Sequence, residues 1–311
     1  TASAQGLGSV TITRNNPANP IRNQRFIMPG GWCVDRFTYA ADAAECSRLR
    51  PGGRFFPFVD AFDRGSLAYA SDASNVYFHP LFLNSLRKFS TLRPMWWQLC
   101  TPQTFSNRLD PRVTDPLEAS EMASVADAYW ADGAQQRVTK CVPPQVIVQL
   151  CNTLNTDCWF TVNHMATPAY HQQLATFVRD HLNTNKKAII EWSNEIWNDM
   201  FYESGRYARE RGVALGLSSD STQAMYRYYS QASISMFRIW NDVFCGSESK
   251  SACGANDRLV RVLGIQTGAN SETLGAPWAA YQVLTWLDAY REVDALAIAP
   301  YFSVPLSQQS T

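Results

Sequence analysis

The stretch "AIIEWSNEIWND", residues 188 to 199, gathers the groups most suited to chemistry. Two carboxylates, Glu191 and Glu195, two indoles, Trp192 and Trp197, and the amides Asn194 and Asn198 follow three apolar residues, so the polar cluster stands where a buried strand ends. Indoles around a carboxyl group strip its water and raise its pKa toward neutrality, which suits a proton donor. Glu195 is therefore the candidate general acid/base. Asn194 is placed to hold a hydroxyl beside it, and Trp192 and Trp197 to line a site with flat apolar faces, as sugars require. Glu195 as a structural carboxylate bonded to a helix N-terminus is the plainer alternative. Cleaving a glycosidic bond needs a second carboxylate across the sugar, roughly 5 to 5.5 Å away for retention and further for inversion. Glu191 shares a strand face with Glu195 but sits deeper, where an unpaired charge is costly, so pairing with an Arg is expected of it.

The elements that must position these residues alternate in kind. "DCWFTVNHMA" reads as a strand with a polar end. "TPAYHQQLATFVRDHLN" then reads as an amphipathic helix with Thr167 as cap and Pro168 in its first turn. "KAIIEWSNEIW", "RLVRVLGIQ" and "VDALAIAPYF" read as strands, separated by helices over "SSDSTQAMYRYYSQASISMFRIWNDVF" and "PWAAYQVLTWLDAY". Earlier, "PPQVIVQLCNTL" and "PLEASEMASVADAYWADG" are helical in pattern, whereas "RPMWWQL" looks extended and "RFFPFVDAF" reads as a buried loop or short strand. Such alternation signals parallel strands covered on both sides. A doubly wound nucleotide fold is disfavoured, because "PGGWCV" and "PGGRFF" lack both the dinucleotide fingerprint and the P-loop Lys. Polar and aromatic residues recur instead at successive strand ends, as a (β/α)₈ barrel active site requires. Residues 1–25, rich in Asn and Pro, read as an N-terminal arm, and residues 26–311 as one barrel domain.

Composition excludes several classes. Charge is balanced, with 27 basic and 27 acidic residues and no Lys/Arg-rich block, which argues against a nucleic-acid partner. No apolar run reaches the roughly 18 to 20 residues of a membrane helix, so no membrane span is expected. The eight cysteines show no two-residue spacing of a zinc site and no grouping with the four histidines, so neither metal nor cofactor is implied. Short loops closable by disulfides lie between Cys245 and Cys253, Cys151 and Cys158, and Cys33 and Cys46. Pairing is not derivable from sequence, and free buried thiols remain the alternative. An extracellular or cell-surface location is the expectation. A chain beginning at Thr1 fits a processed terminus or a trimmed product equally.

Asn194-Glu195 at the end of an apolar strand resembles the signature of the clan A glycoside hydrolases. The wording around it is similar to a set of predicted extracellular proteins of that clan: "PFVD" at 57 to 60, "WFTVNHMA" at 159 to 166, "IEWSNEIWN" at 190 to 198 and "VDALAIAPYF" at 293 to 302. The resemblance covers about residues 54 to 302. It implies a TIM-barrel-like (β/α)₈ fold, a carbohydrate partner and an acid/base Glu after strand four. It further implies a site lined by His164 from strand three, against a core role for that His, and by Tyr301 after strand six, against plain packing. Asp35 and Asp60 are lesser rim candidates. One departure stands out. About six strand–helix units are legible, and the clan's nucleophile Glu belongs to strand seven, past the last legible strand. The expectation is a barrel truncated before strands seven and eight, completed by further chain, a second chain segment or self-assembly.

Two functions follow. One is a secreted glycoside hydrolase acting on polysaccharide or glycoconjugate through Glu195. The other is a non-catalytic structural or adhesive subunit of a cell-surface assembly, built on a degenerate hydrolase barrel.

Overall fold

The computed structural model describes residues 29–33, 37–58, 78–99, 116–125, 127, 141–198, 202–254, 257–266 and 276–299. The chain divides into two compact units, each with its own sheet.

The first unit holds strands β1 (Gly31–Cys33), β2 (Tyr39–Ala40) and β3 (Phe55–Pro57) and helix α1 (Ala43–Leu49). The strands are antiparallel in the order β2-β1-β3, with Gly31 opposite Pro57 and Cys33 opposite Phe55. A Cβ at Gly31 would lie 2.1 Å from the Phe56 carbonyl oxygen, so only glycine lets the two backbones approach. Asp42 caps α1 by accepting from the Glu45 N–H at 2.8 Å. The Cys33–Cys46 disulfide lies wholly buried beneath the sheet and stands in for the apolar core that so few residues cannot supply.

Helix α2 (Pro80–Leu86) follows in the chain, and then the parallel sheet of the second unit. Its strands are β4 (Thr91–Leu92), β5 (Asp157–Val162), β6 (Ala188–Trp192), β7 (Leu259–Gln266) and β8 (Ala295–Ala299). They lie side by side in chain order. Helices α3 (Pro144–Leu154), α4 (Pro168–His181), α5 (Tyr202–Ala214), α6 (Ser221–Cys245) and α7 (Ala276–Thr285) make the crossovers. Period-two alternation sorts the strand residues. Phe160, Ile190, Trp192 and Leu263 are buried, and Phe160 meets Trp240 of α6 at 6.0 Å while Trp192 meets Tyr229 at 5.8 Å. Each such large side chain contributes about 1.5–3 kcal/mol on burial. Trp159, Glu191 and Gly264 belong to the opposite face. Helix α6, capped by Asp220 on the Gln223 N–H at 2.6 Å, packs against α4, α5, α7, β6 and β7 and organises the covered face.

The expected (β/α)₈ barrel is corrected by this architecture. The described residues form a five-stranded parallel sheet and a separate three-stranded antiparallel one, so the chain is mixed α/β. Two features account for the difference. The segments around "PGGW" and "RFFPF" bond to each other through β1 and β3, which uses the hydrogen bonds a first barrel strand would need. "RPMWWQL" contributes no strand; Met95–Trp97 is a turn of 3₁₀ helix after the two-residue β4. The helix expected over "PLEASEMASVADAYWADG" is, among the described residues, a single 3₁₀ turn at Ala119–Glu121. The N-terminal arm, Asp35, Asp60 and Tyr301 lie outside the described residues.

Three disulfides join described cysteines: Cys33–Cys46, Cys151–Cys158 and Cys245–Cys253. Cys141 is also disulfide-bonded. Such bonds fit an oxidising compartment. No helix among the described residues is long and apolar enough to cross a membrane.

Candidate functional site

The carboxyl ends of the parallel strands surround a cavity of about 310 Å³, within the range of roughly 300–1,000 Å³ usual for small-molecule sites. Its lining includes Arg93 beyond β4, Trp159 of β5, Glu191 of β6, Glu195 and Trp197 just past β6, and Gly264 of β7, closed on the far side by Ala297, Ile298 and Ala299 of β8. Strand carboxyl ends are where parallel α/β sheets place their ligands, because the connecting loops diverge there.

Glu195 reaches the cavity through an unusual turn. Ser193 and Glu195 both adopt left-handed backbone, at φ 59° and 40°, which non-glycine residues avoid unless the surroundings impose it. The Ser193 N–H donates to the Val162 carbonyl at 2.6 Å, holding the turn to the end of β5. The Asn198 side-chain amide donates to Glu195 Oε2 at 2.7 Å and orients the carboxyl group. Trp197 lines the cavity, and its indole nitrogen is buried without a hydrogen-bond partner among the described residues.

Glu191 pairs with an arginine, as the sequence leads one to expect. Arg93 Nη2 and Nε donate to its Oε2 at 2.7 and 3.1 Å, and the Trp159 indole N–H donates to the same oxygen at 2.9 Å. Burial, with a smaller push from the Glu195 charge, raises the Glu191 pKa, while Arg93 and Trp159 act in the opposite direction. Arg93 Nη2 also donates to Asn194 Oδ1 at 2.7 Å. Asn194 therefore serves the arginine and does not line the cavity, and its Nδ2 is buried without a partner among the described residues.

The remaining sequence candidates fall outside the cavity lining. Trp192, 4% exposed, is core on the helix-covered face, edge-on to Tyr228. His164, 7% exposed, packs on Trp192 and Tyr207. Burial, aided by the charge of Arg206, lowers its pKa to about 3, so its imidazole stays neutral. Cys245 and Cys253 form a disulfide and neither lines the cavity. Their sulfurs and the Asp257 carboxylate lie within 4.8 Å of one another, but sulfurs bonded to each other are not thiolate ligands.

Sequence reasoning missed Arg93, Trp159 and Gly264. An Arg partner for Glu191 is foreseeable, but its identity, 98 residues away, depends on which strands become neighbours. Tyr229 of α6 was missed as well. Strand β6 leaves β7 after the Glu191–Val262 pair, and the Tyr229 hydroxyl enters the gap to accept from the Gly264 N–H at 2.7 Å. Its pKa is raised by burial and by the Glu191 charge.

Comparison with models of known protein families, with characterised proteins and with solved structures returns no match to this chain.

Proposed function

We propose that this chain is a secreted carbohydrate-active protein that hydrolyses a glycosidic bond, with Glu195 as general acid/base. One observation carries the reading: Glu195 lines a cavity together with a second carboxylate, Glu191, and two indoles, Trp159 and Trp197. An acid, a second acid and flat apolar walls are the set that glycoside hydrolysis needs. The clan A resemblance of "SNEIWN" supports the same reading, and the disulfides suit a secreted setting.

The test is turnover of a panel of aryl glycosides and polysaccharides by the wild-type chain and by Glu195→Gln. Loss of general acid/base catalysis is expected to cut kcat by about 10²–10⁴-fold. Sugar binding by calorimetry and thermal stability should be retained. Unchanged turnover removes Glu195 from the chemistry. Binding without turnover in the wild type favours the adhesive reading.

A further inference from the structure

Glu191 is built for more than an ion pair. Three donors, Arg93 Nε, Arg93 Nη2 and Trp159 Nε1, converge on one of its oxygens, Oε2. No group among the described residues donates to the other oxygen, and the side chain is 5% exposed. Oε1 lies 3.4 Å from where a Cβ at Gly264 would stand, and both residues line the cavity. A glycine there keeps open the space in front of that oxygen. A carboxyl group needed only to neutralise Arg93 would gain from sharing the donors between its two oxygens, the bidentate pairing that arginine favours. Anchoring by three donors on one side fixes the direction in which the other oxygen points.

We propose that Glu191 is the nucleophile of the site and that Oε1 is its attacking atom; the proposal rests on the hydrolase reading of the same cavity. In the first step Oε1 forms a bond to the anomeric carbon as the bond to the leaving oxygen breaks, and the Glu195 proton passes to that oxygen. In the second step water attacks the anomeric carbon and gives its proton to Glu195, and the bond to Oε1 breaks to return the Glu191 carboxylate. Two inversions make a net retention of anomeric configuration. The Arg93 and Trp159 donors stabilise the carboxylate form that attacks and leaves, and Arg93 is thereby a positioning residue.

The test uses the wild-type chain and needs no variant. The wild-type chain is first assayed with 2,4-dinitrophenyl β-glycosides of glucose, galactose, mannose and xylose. It is then incubated with the corresponding 2-deoxy-2-fluoro compounds, which slow the second step, and digested for peptide mass spectrometry. Expected are turnover on one of the parent glycosides, release of about one dinitrophenolate per chain from its fluoro analogue, a glycosyl label on Glu191 and a product of retained configuration. Turnover with inverted product, or with the label on Glu195 or elsewhere, overturns the assignment of Glu191 and leaves the hydrolase reading standing. Absence of turnover across the parent glycosides, with sugar binding or without it, overturns the hydrolase reading and this proposal with it.

Discussion

Two arginine–carboxylate clusters sit toward opposite ends of one parallel sheet, and they are built to different rules. Toward the amino ends, Arg261 is fully buried and every nitrogen of its guanidinium is used. Nε donates to Asn241 at 2.6 Å, Nη1 to Asp257 and Asp294 at 2.7 and 2.8 Å, and Nη2 to Cys253 Sγ at 3.1 Å. Lys250 meets the remaining Asp294 oxygen at 2.7 Å, so two cations balance two anions. Toward the carboxyl ends, Arg93 faces Glu191 with Glu195 nearby, its side chain is 31% exposed, and Glu191 Oε1 and Asn194 Nδ2 lack partners among the described residues. The first cluster is closed and neutral, which is how a buried network is made to stabilise. The second keeps unmet hydrogen-bonding capacity beside a cavity. Local rules are broken where function is expected and obeyed where it is not.

The largest test of this contrast is Arg261→Leu. It leaves Asp257 without its cation and Asp294 with Lys250 alone, around a buried hole, and is expected to cost about 3–5 kcal/mol, read by denaturant unfolding. A loss under 1 kcal/mol would show the closed cluster to be dispensable. Arg93→Met should cost less, about 1–3 kcal/mol, because Arg93 is partly solvated and Glu191 can take up a proton instead. A cost equal to that of Arg261→Leu would erase the distinction between the clusters.

The smallest test is acid titration, because the two carboxylates shift in opposite senses. Asp294 is held below its ordinary 3.8 by the hydrogen bonds of Lys250 and Arg261, which outweigh its partial burial. A depressed acid stabilises the fold above its ordinary pKa, and that contribution disappears as pH falls through the folded-state value. The stability gap between wild type and Asp294→Asn should therefore shrink below about pH 3.8. Glu191 is raised above its ordinary 4.5, chiefly by burial. A raised acid weakens the fold at pH values above its folded pKa, and the penalty fades as pH falls toward the ordinary value. Glu191→Gln should remove that acid-side relief, so its stability relative to wild type should be highest at neutral pH and decline toward pH 4.5. Thermal melts across pH 3–8 read both slopes; slopes of the same sign would sink the comparison.

The sequence is informative wherever periodicity or capping chemistry is strong. Thr167 with Pro168, and the long amphipathic run closed by Gly246, announce α4 and α6 directly. The strands at 157–162, 188–192, 259–266 and 295–299 are apolar enough to stand out, and "SNE" marks the end of β6 as a polar exception. Strand partnership is less legible. Nothing local distinguishes β1, which bonds to β3 in a separate antiparallel sheet, from the first strand of a barrel. Trp192 and Trp197 look alike in sequence, yet period-two alternation sends the first into the core, while the left-handed turn at Ser193 and Glu195 sends the second to the cavity. Arg93 is an ordinary arginine until β4 is placed beside β5 and β5 beside β6.

The Tyr229 hydroxyl that ends the β6–β7 ladder has a consequence for how this part of the sheet can change over time. A sheet ordinarily completes itself with its own carbonyls, so widening it demands substitutions in the strands and risks the register. Here the last acceptor comes from a helix, and the width of the split between two strands is set by the reach of one side chain on α6. A shorter residue at that position would leave the Gly264 N–H without its acceptor while every strand residue stayed as it is. The join between β6 and β7 beside Gly264 is thus held by a helix residue that is separate from the residues proposed to do the chemistry.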